Sequence, residues 1–421
     1  MDKNYTIESL KGPDRVRKRP AVVFGDAGKK GALSAVITLL DIFITEAALG
    51  FSKELNVVIH KDNSISVRSF DRGFKLDETI IDDKPAWYYD FCELFAGPRE
   101  PDEHYYFSVG SHHNDLYGKS ETIAPKFQVD TNHGYGLCAV QYISKFMHVE
   151  STRDGIKKSL DFKNGYCISG VKREKFVGVT NTYIHFLIDD AVFEEVDFST
   201  YELDEFLRNA SITLPGLKCE LNDERNNLTF THLYPTGTSD YINEVVTSLS
   251  MPIYENEIEA TGKDRYNYRD YDAKVNAAIT FVKDYSHVFC LHNYRHLERG
   301  GEHFEALKKK VINAINREFI WDFRDDKSSE DENNYYSRRR FELSFDDISK
   351  NIVLILASNC SNYASDYHNA TQKSIKNRMI TDMAADLISK DFENYLHENH
   401  DEIFPILEKI QKNREINDVI L

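Results

Sequence analysis

A chain of 421 residues, 41% of them hydrophobic, with a formal net charge of −17 at pH 7, is long enough for two domains with ordinary packed cores. The acidic balance argues against a protein held to nucleic acid by sequence-independent phosphate attraction. DNA is therefore not a favoured partner, and residues 15–19 and 338–340 are the local basic runs. Six scattered cysteines (Cys92, Cys138, Cys167, Cys219, Cys290, Cys360) without a CxxC pair point to reduced thiols. No signal-peptide core and no apolar run of roughly 18 residues is read, so no membrane and a cytoplasmic location are expected.

In chain order, residues 1–32 read as an arm and entry loop, with Tyr5 and Ile7 as apolar residues on a polar tail. Residues 33–50 (LSAVITLLDIFITEAALG) read as one helix. Val36, Ile37, Leu40, Phe43, Ile44 and Ala47 recur at helical spacing, and Gly50 stops it. Thr38, Asp41 and Thr45 are three and four apart and share one face with Ile42. A polar stripe holding one bulky aliphatic is expected to border a pocket. Strands at 55–60 and 64–68 follow, joined by a turn at 61–63, and then the segment Ser69-Phe70-Asp71-Arg72-Gly73.

Residues 93–97 (ELFAG) precede a polar, aromatic-rich loop to 131, and residues 132–138 (NHGYGLC) lead into a helix. Two glycines there let the backbone approach a phosphate at a helix N-terminus. Strands are expected at 145–151, 158–162, 166–174 and 181–188, a helix at 201–209, and a strand pair across 212–226. Past Pro235 come a helix at 239–249 with Ser239 as its N-cap, and a β-pair of 273–282 with 287–292. A loop ending Arg299-Gly300-Gly301-Glu302-His303 opens a helix at 304–318. After it come a charged linker at 322–337, a strand at 351–357, and helix over 377–412 broken or kinked at Pro405.

This order and spacing, carried by the 33–50 helix, the Asp71-Arg72-Gly73 turn and the NHGYG motif, resembles the ATPase region of type IIA topoisomerase B subunits. These form the gyrase B and topoisomerase IV family within the GHKL ATPases. The resemblance implies an α+β chain: a GHKL (Bergerat) ATPase sandwich over 1–233 with an N-terminal dimer arm, then a ribosomal-S5-like α/β transducer over 234–421 ending in long helices. No segment is left for the TOPRIM region.

Carried over residue by residue, it implies nucleotide contacts from Arg72, Gly73, His133, Gly134 and Gly136. Arg99 stands near the place of a phosphate-facing lysine, Thr182 on the strand beside the adenine, and Lys373 where a transducer lysine reaches the γ-phosphate. Ser69 takes the place of the aspartate that accepts the adenine amino group. Asp71 replaces a glycine of the same turn, and Thr371 and Gln372 stand in swapped order.

Two further departures concern turnover. Thr38 stands at the general-base carboxylate and Ile42 at the Mg2+-binding asparagine. Threonine is no base near neutral pH, and losing a positioned base costs about two to four decades in rate. Isoleucine offers no oxygen to a cation that demands oxygen ligands.

The expectation is a pseudo-ATPase that binds ATP weakly or not at all, without a metal. It would form a homodimer through Tyr5 and Ile7 and act through partners such as topoisomerase subunits. The alternative is an ATP-hydrolysing type II topoisomerase subunit that alters DNA topology. A third reading is a structural module whose pocket is filled by Ile42 and Phe70.

Overall fold

The computed structural model describes residues 10–77, 79–81, 84–94, 136–246, 251–263, 270–283, 285–319, 342–360, 365 and 374–420. The chain divides into two units, Met1–Leu233 and Tyr234–Leu421. Tyr5, Ile7, Arg99, His133, Gly134, Lys373 and the stretches 322–337 and 338–340 lie outside the described residues.

In the first unit, α1 (Asp14–Arg17) and α2 (Pro20–Phe24) lead into α3 (Lys29–Ala48). α2 opens on Pro20, whose fixed φ suits a first helical position, and closes on Gly25 at φ 79°. α3 starts before residue 33 because Gly31 admits a close approach: a Cβ there would fall 2.0 Å from the Asp26 carbonyl oxygen. Contrary to the sequence expectation, α3 is long and apolar enough to cross a membrane, with mean hydropathy 1.6 over its best window. Packing accounts for that run: 67% of the window is buried, and α3 lies against α2 and two further helices, α5 (Gly136–Tyr142) and α6 (Thr200–Thr213).

The strands of this unit are β1 (Glu54–Ile59), β2 (Ile65–Ser69), the small pair β3 (Thr79–Ile81) and β4 (Lys84–Pro85), β5 (Ser144–Arg153), β6 (Ile156–Lys163), β7 (Tyr166–Cys167), β8 (Lys172–Lys175), β9 (Asn181–Ile188), β10 (Lys218–Asp223) and β11 (Leu228–His232). α4 (Ala86–Cys92) follows β4. The main sheet runs β11-β10-β1-β2-β9-β5-β6-β7, with β8 also on β6. Only β1 and β10 pair in parallel among the described strands of this sheet. Alternation places Leu55, Val57 and Ile59 of β1, and Ile184, Phe186 and Ile188 of β9, in the core.

Two expectations are corrected here. The single strand at 166–174 is two, because Ser169 takes the Asp161 backbone N–H at 2.9 Å and steps the chain from one end of β6 to the other. The strand expected from 212 begins at 218. Residues to Thr213 continue α6, and Pro215 and Gly216 then end it.

The second unit comprises α7 (Thr238–Val245), β12 (Tyr254–Lys263), β13 (Asp270–Phe281), β14 (His287–His292), β15 (Arg295–His296), α8 (Glu302–Phe319), α9 (Phe345–Ile348), β16 (Ile352–Cys360), α10 (Arg378–Asp386), α11 (Lys390–Glu398) and α12 (His400–Ile420). Its sheet runs β12-β13-β16-β14-β15. The expected pairing of 273–282 with 287–292 does not form: β16, buried along its whole length, inserts between them and runs parallel to β14. β12 has no counterpart in the sequence reading, because its outward row is Glu255, Glu257 and Glu259.

α7 is capped by Gly237 rather than Ser239, whose hydroxyl meets Thr236 at 2.8 Å. The C-terminal helix breaks at Ser389, which caps α11, and at Asn399, which joins α11 to α12. Pro405 lies inside α12. All six cysteines are free thiols.

Candidate functional site

α3 supplies one wall. Thr38 donates its hydroxyl proton to the Ser34 carbonyl at 2.8 Å, and Thr45 donates to the Asp41 carbonyl at 2.7 Å, so both protons are engaged by the helix itself. Ile42, 2% exposed, offers only carbon. Glu46 is buried and accepts Arg72 Nε at 2.9 Å and a second N–H from Arg72 Nη2. Arg72 also lies 3.9 Å over the Phe51 ring. This bidentate pair fastens the segment after β2 to the helix, so Arg72 serves the architecture of the site rather than standing open to a ligand.

The same segment is tied on its other side. Gly73 sits at φ 73°, and a Cβ there would come 2.9 Å from the Thr152 carbonyl of β5. Ser151 donates to the Phe74 carbonyl at 2.8 Å. Ser69 ends β2 opposite Thr182 of β9 and shares a 3.0 Å hydrogen bond with Ser52. Thr182 does not donate to Ser69. Its hydroxyl donates to Asp71 Oδ1 at 2.7 Å, and the Gly73 N–H donates to the same oxygen at 3.0 Å. Among the described residues nothing bonds to Asp71 Oδ2.

Burial pushes the Asp71 carboxyl up to about 6. The Thr182 and Gly73 hydrogen bonds oppose that shift, and the Glu46 charge adds to it. The one described carboxylate bonded to the strand threonine is thus Asp71, two residues beyond the position that the family resemblance singled out. The Asp-x-Gly turn spacing was the available signal.

These groups form a closed polar floor. Ser69 and Thr182 are 0% exposed and Asp71 is 5% exposed. The donor set does not suit a divalent cation, since the α3 face brings a hydroxyl already donating to its own helix and a hydrocarbon. Ser69, Asp71, Gly73 and Thr182 are brought together at the ends of β2 and β9, and Arg72 joins this segment to α3 through Glu46. Gly136 opens α5 at φ 41°. The positions assigned to the phosphates at Arg99, His133, Gly134 and Lys373 are outside the described residues.

The DNA gyrase B family model matches residues 237–418. The gyrase B protein of Spiroplasma citri is 23% identical over 419 residues, which is 97% of this chain and 59% of that protein. The DNA topoisomerase 4 B protein of Escherichia coli (strain K12) is 29% identical over 245 residues, 58% of this chain and 35% of that protein. The chain therefore spans about a third to three fifths of the length of the curated relatives it matches. Among solved structures, the 43K ATPase domain of Thermus thermophilus gyrase B superposes with TM-score 0.69 at 17% identity, covering 97% of both chains. The topoisomerase IV ATP-binding domain of Francisella tularensis superposes with TM-score 0.65 at 18% identity, covering 96% of this chain and 98% of that one.

Proposed function

The chain is a type IIA topoisomerase B-subunit-like protein with a GHKL-type fold, and from that premise we propose that it is a pseudo-ATPase that dimerises and acts through protein partners. The observation that carries the reading is the face of α3. A hydrolytic site of this kind needs a carboxylate to position and deprotonate water, and oxygen donors for a magnesium ion. Thr38 and Ile42 provide neither, and the nearby Glu46 is held by both arms of Arg72. Dimerisation through Tyr5 and Ile7, and topoisomerase subunits as partners, are part of the same proposal.

The test combines phosphate release with thermal unfolding of the intact chain, with and without Mg-ATP. Background release is expected, with or without a shift in melting. A ligand at a hundredfold over its dissociation constant would add about 2.7 kcal/mol. Steady release that Thr38→Ala or Lys373→Ala abolishes overturns the reading. It would select the alternative, an ATP-hydrolysing subunit of a type II topoisomerase that alters DNA topology. That alternative is favoured by one observation: Thr182 keeps a carboxylate partner in Asp71.

A further inference from the structure

Three thiols gather at one place in the first unit. Cys92 closes α4, Cys138 lies in the first turn of α5, and Cys167 ends β7. α4 and α5 pack on each other, and Tyr142 of α5 joins them. Its phenol donates to the Cys92 carbonyl, and the same oxygen meets the Cys138 thiol one helical turn back. The main chain of Cys92 and the side chain of Cys138 therefore converge on one atom. We propose that Cys92 and Cys138 form a thiol-oxidation site, which a small-molecule disulfide such as oxidised glutathione converts into an intramolecular bond tying α4 to α5.

The grouping is not a metal site, since among the described residues no three Cys, His, Asp or Glu side chains are placed to hold an ion. Cys92 is half-buried and is the thiol that a small oxidant reaches, while Cys138 is buried behind it. Cys167 also neighbours Cys92, but its thiol donates to the Ser169 carbonyl at 3.0 Å. Among the described residues no other thiol shifts Cys219, Cys290 or Cys360. Burial pushes the Cys92 thiol up to about 12, and Cys167 and Glu93 add to it. Burial also raises Cys138; Cys92 and Glu93 add to that shift, and the Tyr142 hydrogen bond opposes it. Thiolate is scarce at neutral pH, so the reaction is slow there and base-driven.

The exchange runs in two displacements. The Cys92 thiolate attacks one sulfur of the glutathione disulfide, and one glutathione thiolate leaves. The Cys138 thiolate then attacks the Cys92 sulfur of this mixed disulfide, and the second glutathione thiolate leaves. The two protons given up by the protein end on two glutathione thiols. The protein loses two electrons and the glutathione disulfide gains them. The new bond joins the two ends of the span 93–137, which contains Arg99, His133 and Gly134. It needs neither nucleotide nor turnover, and its failure leaves the proposed function untouched.

The test is mass-spectrometric peptide mapping, without reductant, of the intact folded chain incubated with oxidised glutathione. A Cys92–Cys138 linked peptide that dithiothreitol dissolves is expected, with two of the six thiols lost. Cys138→Ser should stop at a mixed disulfide on Cys92, and Cys92→Ser should leave Cys138 reduced. The rate at which the Cys92 thiol is lost should rise about tenfold per unit from about pH 8 to about pH 10, because this thiol titrates near 12. A thiol titrating at 9.0, as in an unfolded chain, would level off within that range. Six thiols left free, a bond from Cys92 to Cys167 or to any other cysteine, a mixed disulfide that persists in the unaltered chain, or a rate that levels off near pH 9 would overturn the proposal. The map and the pH series on the unaltered chain decide the matter even if a variant fails to fold.

Discussion

Asp71 is the most informative residue to perturb. Its carboxyl titrates near 6 in the folded chain against 3.8 in the unfolded one. A folded value above the unfolded one means that the contribution to stability is fully present below pH 3.8 and is lost as pH rises through 6. The difference is about two units, or about 3 kcal/mol at pH 8. Asp71→Asn removes the titration and keeps an oxygen for the Thr182 and Gly73 donors. It also places an N–H2 where Oδ2 stands without a hydrogen-bond partner among the described residues, a fixed cost of about 1–3 kcal/mol. That cost is the same at every pH, so it cancels in a comparison. The stability difference between the Asp71→Asn variant and the unaltered chain should shift by about 2.4 kcal/mol in favour of the variant between pH 4 and pH 8. Urea unfolding followed by Trp87 fluorescence in a Trp321→Phe background would read it. A difference that does not move with pH refutes the claim that this carboxyl is held in a dry floor.

Removing the partner of Glu46 by Arg72→Ala leaves a buried carboxylate uncompensated and should destabilise the first unit by about 3–5 kcal/mol in urea unfolding. A loss below about 1 kcal/mol would show that the pair does not fasten the segment after β2. Gly73→Ala combines φ 73° with a Cβ 2.9 Å from the Thr152 carbonyl and should lower the melting temperature by several degrees. An unchanged melt would refute the close approach to β5. In the second unit, burial holds His292 and His303 neutral down to about 3, against 6.5 for a free imidazole, and the charge that His303 would carry lowers His292 further. Stability from these histidines is full above pH 6.5 and falls towards pH 3, by about 1.4 kcal/mol per pH unit for each. His292→Gln should therefore flatten the acid limb of this unit's unfolding curve, and an equally steep limb would refute the assignment.

The sequence alone determined those parts of the protein in which one element reports on itself. α3 was legible from helical periodicity. β9 was legible from the alternation of Ile184, Phe186 and Ile188, and the GHKL-type architecture from the order of a helix face, a turn and a glycine pair. That Thr38 and Ile42 lie on one side of α3 was legible for the same reason: positions three and four apart on one helix share a face whatever surrounds them.

Tertiary structure decided what depends on residues distant in the chain. The sheet order that puts β16 between β13 and β14 rests on pairing across more than one connection, which no local pattern encodes. The choice of Asp71 over Ser69 as partner of Thr182 was settled by the pairing of β2 with β9 and by the seating of Gly73 and Phe74 against β5. That packing turns one side chain into the floor and gives the other to Ser52. β12 escaped notice because an exposed edge strand carries glutamates instead of a hydrophobic row. Charge is read by solvent and by neighbouring strands, so it marks a strand only once the fold shows which side is open.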